Sequence, residues 1–217
     1  MIHNLTGTKF WLTVRIGRMR LLTYIAASLF VSMIGTLPAS TPAQAQAGAG
    51  AEAGAEAGAE AEAANVIFMR HALAPGTGDP ANFNIDDCTT QRVLNDAGRE
   101  QARALGGQLG AYLDANNKKL DAILTSQWCR CRDTAILLDL GEWQEFAGLN
   151  SFFSGHVDRD ETLALLRARL DDIGPDELVL MVTHQVIITA ITGIFPPSGG
   201  MVLYNTETGA VSRLTLP

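Results

Sequence analysis

Three short apolar runs punctuate the later part of this 217-residue chain, and each ends in a chemically active side chain. Val66-Ile67-Phe68-Met69 leads into Arg70-His71, Ala122-Ile123-Leu124-Thr125 into Ser126, and Leu178-Val179-Leu180-Met181-Val182-Thr183 into His184. Continuous apolar runs of this length, rich in β-branched residues, predict strands buried on both faces. Between them the period lengthens. Leu94, Ala97, Ala102, Leu105, Leu109, Tyr112 and Leu113 recur at helical spacing, which predicts a helix from about Asn95 to Asn116. Ser126 is placed to cap a helix running through Leu138, with Gly141 just beyond it as a stop. An amphipathic helix from Asp160 to Ile173 is closed by Gly174-Pro175, and a short apolar helix follows from Gln185 to Gly193.

Residues 142–158 carry no clear period, and Leu149-Asn150-Ser151-Phe152-Phe153 reads as an ordered loop. Met201–Asn205 and Ala210–Leu216 form a closing hairpin around Glu207-Thr208-Gly209. Strands alternating with helices predict a layered α/β domain with a mainly parallel sheet. Ligands of such sheets bind beyond the carboxyl ends of the strands, where His71, Ser126 and His184 all fall.

The N-terminal part is different in kind. Residues 1–47 have no acidic side chain; Lys9, Arg15, Arg18 and Arg20 precede an apolar stretch from Leu21 to Leu37, and Ala-Gln-Ala repeats follow. That pattern predicts a signal peptide cleaved after Ala45 or Ala47, hence a periplasmic or secreted protein with no lasting membrane insertion. An uncleaved anchor is the alternative reading, because a span needs about 20 apolar residues. Residues 48–64 are Ala, Gly and Glu with little else, too poor in apolar bulk to bury a core, and are read as a flexible tether. Residues 65–217 are then one domain with a sizeable core.

Net charge changes the partner list. The chain carries a formal −7, and the leader's four cations cancel the tether's four acids, so the domain keeps the whole deficit. An acidic domain is a poor nucleic-acid ligand, because binding there rests on counterion release by cations. The three cysteines are Cys88, Cys129 and Cys131. Cys129 and Cys131 point to different faces of a helix start and are poor partners for one another, so a bridge from Cys88 to Cys129 or to Cys131 is expected after export. No C-x-x-C pair is present and arginines flank the sulfurs, which argues against zinc.

If the three strands lie side by side, two imidazoles and two guanidiniums meet at one sheet edge. Arg70 and Arg130 suit a phosphoryl group, because guanidinium is permanently charged and offers a planar fork to two oxygens. An unprotonated histidine is a nitrogen nucleophile, and neighbouring arginines favour its neutral form. His71 is the candidate nucleophile. His184 is a donor to the phosphoryl oxygens, and the amide of Gln185 at the next helix start adds another.

The chain resembles the histidine phosphatase superfamily, the phosphoglycerate-mutase-like fold. The matching stretches are Arg70-His71-Ala72, Leu94-x-x-x-Gly98-Arg99-x-Gln101-Ala102, Thr125-Ser126-x-x-x-Arg130-x-x-x-Thr134-Ala135 and Val182-x-His184. Asp87-Cys88, Thr90-Gln91-Arg92, Ser126-Gln127-Trp128-Cys129-Arg130-Cys131 and Leu149–Phe153 are similar to an exported bacterial subgroup loosely related to phosphatases of lipopolysaccharide cores. The resemblance implies a three-layer α/β/α sandwich and a phosphatase needing no metal or cofactor. It implies His71 as the phosphorylated residue, and Arg70, Arg130 and His184 as phosphate ligands.

The chain departs from the family pattern in three places. Ala72 stands where Gly is usual, Gln185 where acid-phosphatase-like members place Asp, and Ser151 where mutase-like members place Glu. The proton donor is therefore open: Glu142, Glu145, Asp158, Asp160 and Glu161 are in range along the chain, with Asp160 and Glu161 preferred at a helix start. The expected substrate is a small phosphorylated molecule, a sugar phosphate or an envelope glycolipid phosphate. The rival readings are a phosphohistidine or phosphoramidate hydrolase, and a phosphate-binding module of weak activity. Gln91 and Arg92 are read as pocket rim or helix entry, Gly76-Thr77-Gly78 as an ordinary turn, Trp128 as core and His156 as surface.

Overall fold

The computed structural model describes residues 63–216. The expected leader and most of the expected tether lie outside them. Ala63 and Ala64, placed in the tether by composition, belong to the domain: Ala64 is buried, and the Ala63 carbonyl accepts from Asn205 Nδ2 at 2.6 Å.

The strands are β1 (Val66–Arg70), β2 (Ala122–Thr125), β3 (Gln144–Glu145), β4 (Val179–Thr183), β5 (Met201–Tyr204) and β6 (Val211–Leu214). They form one sheet in the order β3-β2-β4-β1-β5-β6. The pairs β2–β3, β2–β4 and β1–β4 are parallel, and β5 and β6 continue antiparallel from β1. The helices are α1 (Asp96–Ala115), α2 (Cys129–Leu138), α3 (Arg159–Asp171) and α4 (Gln185–Thr192). Among the described residues, no helix is long and apolar enough to cross a membrane.

The period of two along each strand divides the core. Ile67, Met69, Ile123, Leu180 and Val182 face α1 and α2, packing with Leu109, Leu113, Ala135 and Leu138. Val66, Phe68, Leu124, Val179 and Met181 face the other way onto Leu163, Leu166, Leu170, Ile187 and Ile188 of α3 and α4. Both faces are covered, which is why these strands read as unbroken apolar runs. The three-layer α/β/α sandwich with a mainly parallel sheet is the architecture that the resemblance implied.

Local readings needed three corrections. Helix α2 begins at Cys129, with Trp128 rather than Ser126 at its N-cap. Ser126 lies deeper in the turn, its hydroxyl already committed to neighbouring side chains. The same helix ends on Asp139 in the left-handed region (φ 52°), two residues before Gly141, a conformation that Asp tolerates better than most side chains. The stretch read as a loop contains the edge strand β3 and a 3-10 turn, Ala147–Leu149. Two residues of strand are too few to show a period.

A candidate phosphate-binding active site

Parallel pairing brings the distant motifs together. Arg70 is in register with Thr183, and the His71 N–H donates to the Thr183 carbonyl at 2.9 Å, so both histidines leave the sheet at one edge. Their rings lie 5.4 Å apart, edge to face. Ser126 joins them because its N–H donates to the Val182 carbonyl.

His71 is buried, and its Nδ1 is 2.8 Å from the Ala72 carbonyl. A carbonyl only accepts, so Nδ1 carries the proton and Nε2 is left with a free lone pair. Burial, with Arg130 next in weight, lowers its pKa to about 3, and the ring is neutral across the ordinary pH range. The His184 ring is likewise held well below the usual value by burial and then by Arg130.

Arg130, in the first turn of α2, is almost wholly buried. Its two terminal nitrogens grip Asp79 at 2.8 and 3.1 Å, and Nη2 also lies 3.5 Å from His184 Nδ1. Arg70 is anchored by the Pro196 carbonyl. The Nε atoms of Arg70 and Arg130 are buried without a hydrogen-bond partner. A third guanidinium, Arg92, lines the same cavity and is oriented by the carbonyls of Gly78 and Ala74.

Among the described residues, Asp79 is the one carboxylate lining this cavity. It accepts from Arg130, from the Arg92 N–H and from Trp128 Nε1. Burial alone pushes its carboxyl upward, but these hydrogen bonds outweigh burial and hold it below the usual range. It is a structural anion and a poor proton donor. Three guanidiniums against one carboxylate, with the His71 and His184 rings neutral, leave two positive charges in excess, a match for a phosphate monoester of about −1.5 to −2 near neutral pH.

The preferred proton donors are not brought to the cavity. Asp160 and Glu161 are exposed in the first turn of α3, where carboxylates favour the helix dipole, and Asp160 pairs with Arg159 at 2.9 Å. Asp158 caps that helix through the Glu161 N–H, Glu145 pairs with Arg132, and Glu142 is exposed. None of the five lines the cavity. Gln185 does line it, at the first position of α4, and its side-chain nitrogen donates to Thr189.

Several wall residues carry little separate signal along the chain. Asp79 sits in a Gly-Asp-Pro turn and reads as a turn former. Gly76, Thr77 and Gly78 line the cavity, and so does His156, stacked on Phe83 at 4.2 Å. Trp128 is buried as expected, yet it also lines the cavity. Gln91 is structural: its amide holds the Asn84 and Ile85 carbonyls and accepts from the Cys129 N–H. A disulfide joins Cys88 to Cys129, while Cys131 is free and buried, its thiol pushed up to about 12 by burial.

No protein-family model matches the chain, and no curated protein matches it. The chain is similar to several solved structures. Mycobacterial glucosyl-3-phosphoglycerate phosphatase Rv2419c is 15% identical with a TM-score of 0.48, over 68% of this chain and 95% of that one. Mycobacterial hydrolase 1 is 15% identical with a TM-score of 0.49, over 70% and 96%. The protein histidine phosphatase SixA, solved with tungstate, is 17% identical with a TM-score of 0.44, over 69% and 94%.

Proposed function

We propose that the chain is an exported phosphomonoesterase of the histidine phosphatase type. In this reading residues 1–47 are the signal peptide, 48–64 chiefly a tether, and the remainder the enzyme. One observation carries it: the bare Nε2 of a neutral, buried His71 shares a cavity with Arg70 and Arg130, whose buried Nε donors have no partner. A phosphoryl group in this cup meets a nucleophile on one side and guanidinium donors around its oxygens.

The cycle has two displacements. His71 Nε2 attacks phosphorus and the alcohol leaves; water then attacks the phosphohistidine and releases orthophosphate. As negative charge shifts over the phosphoryl oxygens, the fixed arginines stabilise it without reorganising. Exposed Phe153 at the mouth, and Phe195 beside Arg70, favour a small phosphorylated metabolite with an organic face over orthophosphate alone.

A second reading is hydrolysis of a phosphohistidine or other phosphoramidate. It draws on Asp79, the cavity's carboxylate, being held ionised by Arg130, since a P–N leaving group asks less of an acid. A screen of purified protein against p-nitrophenyl phosphate, sugar phosphates and a phosphoramidate tests both. Turnover is expected to fall on the order of 10³-fold or more in His71→Ala. Tight orthophosphate binding with no turnover of any compound overturns the enzyme reading in favour of a binding module.

A further inference from the structure

A chain of hydrogen bonds behind His184 fixes which of its nitrogens faces the cavity bare. Asn150 is held at both ends by Gln127: its Oδ1 accepts from the Gln127 N–H at 3.0 Å, and its Nδ2 donates to Gln127 Oε1 at 2.7 Å. That orientation presents Oδ1 to the Ser126 hydroxyl at 3.1 Å. An amide oxygen only accepts, so the Ser126 proton is spent on Asn150. The Ser126 oxygen, 2.9 Å from His184 Nε2, is then an acceptor, and Nε2 must carry the ring proton.

The other side of the ring agrees independently. His184 Nδ1 lies 3.5 Å from Arg130 Nη2, a group that only donates. In the resting ring, before any phosphoryl oxygen engages Arg130, a proton on Nδ1 would set donor against donor. Thr183 Oγ1, bonded to the Leu149 carbonyl at 2.6 Å, pins the 3-10 turn to the end of β4 and so keeps Asn150 in place. Two residues of the cavity lining thus each carry an unprotonated nitrogen, His71 Nε2 and His184 Nδ1.

We propose that His184 Nδ1 is the proton carrier of the reaction, and that Ser126 and Asn150 are positioning residues that hold it in the competent tautomer. This rests on the phosphatase reading and answers the question left by the missing carboxylic acid. A monoester enters as its monoanion and passes its proton to Nδ1. His71 Nε2 then forms the N–P bond as the P–O bond to the alcohol breaks, and the departing oxygen takes the proton from Nδ1. In the second half Nδ1 takes a proton from the attacking water, the new P–O bond forms, and the N–P electron pair returns to His71. Orthophosphate leaves with that proton, and both imidazoles end neutral.

Two measurements test this. Nitrogen-15 NMR of the wild-type protein is expected to show His184 protonated at Nε2 and bare at Nδ1, with Asn150→Ala shifting the proton toward Nδ1; a wild-type ring protonated at Nδ1 overturns the proposal. Kinetically, His184→Gln is expected to lower kcat/KM for phenyl phosphate at least about tenfold more than for p-nitrophenyl phosphate, whose leaving group needs no proton. An equal loss on both esters overturns the proton role and leaves the phosphatase reading intact. A wild-type protein idle on both esters overturns that reading, and this one with it.

Discussion

The cavity has two walls built on different principles. The sheet wall, with Arg70, His71 and His184, is set by main-chain pairing: the register of β1 with β4 decides where those side chains begin. The loop wall, with Asp79, Arg92, Trp128 and Arg130, is set by side chains holding one another and by a covalent bridge. The sheet wall inherits the stability of the core behind it. The loop wall is no stronger than its own network, so substitution and redox chemistry should separate the two.

Arg130→Ala should have the largest effect on the loop wall. It strands Asp79 in a nearly dry site, and breaking a buried pair costs about 3–5 kcal/mol. Denaturant titration is expected to show that loss, with activity far below what the stability change alone explains. Ala at Arg159, in an exposed pair with Asp160, should change stability little.

Reduction sharpens the contrast. The Cys88–Cys129 bridge closes a separation of 41 residues, for which chain entropy gives about 4 kcal/mol. Reducing it under native conditions should lower the thermal midpoint and raise amide exchange in residues 74–92. Protection in β1 and β4 should persist. Uniform loss of protection across both walls would show that they are one cooperative unit.

A smaller effect comes from protons. Both histidines have folded pKa values below an unfolded value near 6.5, so the unfolded chain binds protons that the native one refuses. Their contribution is intact above pH 6.5 and declines as the pH falls toward 3. For His71 alone the loss is roughly 2 kcal/mol by pH 5. Unfolding at pH 7 and pH 5 should reveal it, and His71→Ala should flatten the dependence.

Legibility followed the same division. The sheet wall could be read because long-range parallel pairing leaves a local signature, an apolar run ending in a polar residue. Helix α1 was legible from its period and from Asn95, which caps it through the Gly98 N–H. The loop wall was only half legible. Arg130 stood out by its spacing from Ser126, whereas Asp79 depends on a loop folding back onto α2. Acids at a helix start are common for reasons of dipole and capping, so Asp160 and Glu161 in the first turn of α3 carry a local signal unrelated to the cavity. The Asn150–Ser126–His184 chain was hidden because its members come from three separate elements.

Helix α1 lines none of the cavity, yet two of its glycines bear on it. A Cβ at Gly98 would come within 1.9 Å of the Leu73 carbonyl, and one at Gly106 within 2.1 Å of the Leu138 carbonyl. The helix backbone therefore rests directly on the segment leaving His71 and on the far end of the helix that carries Arg130. It works as a spacer gauge between His71 and the Arg130 side of the cavity, and a single methyl group at either contact would push the two apart from behind.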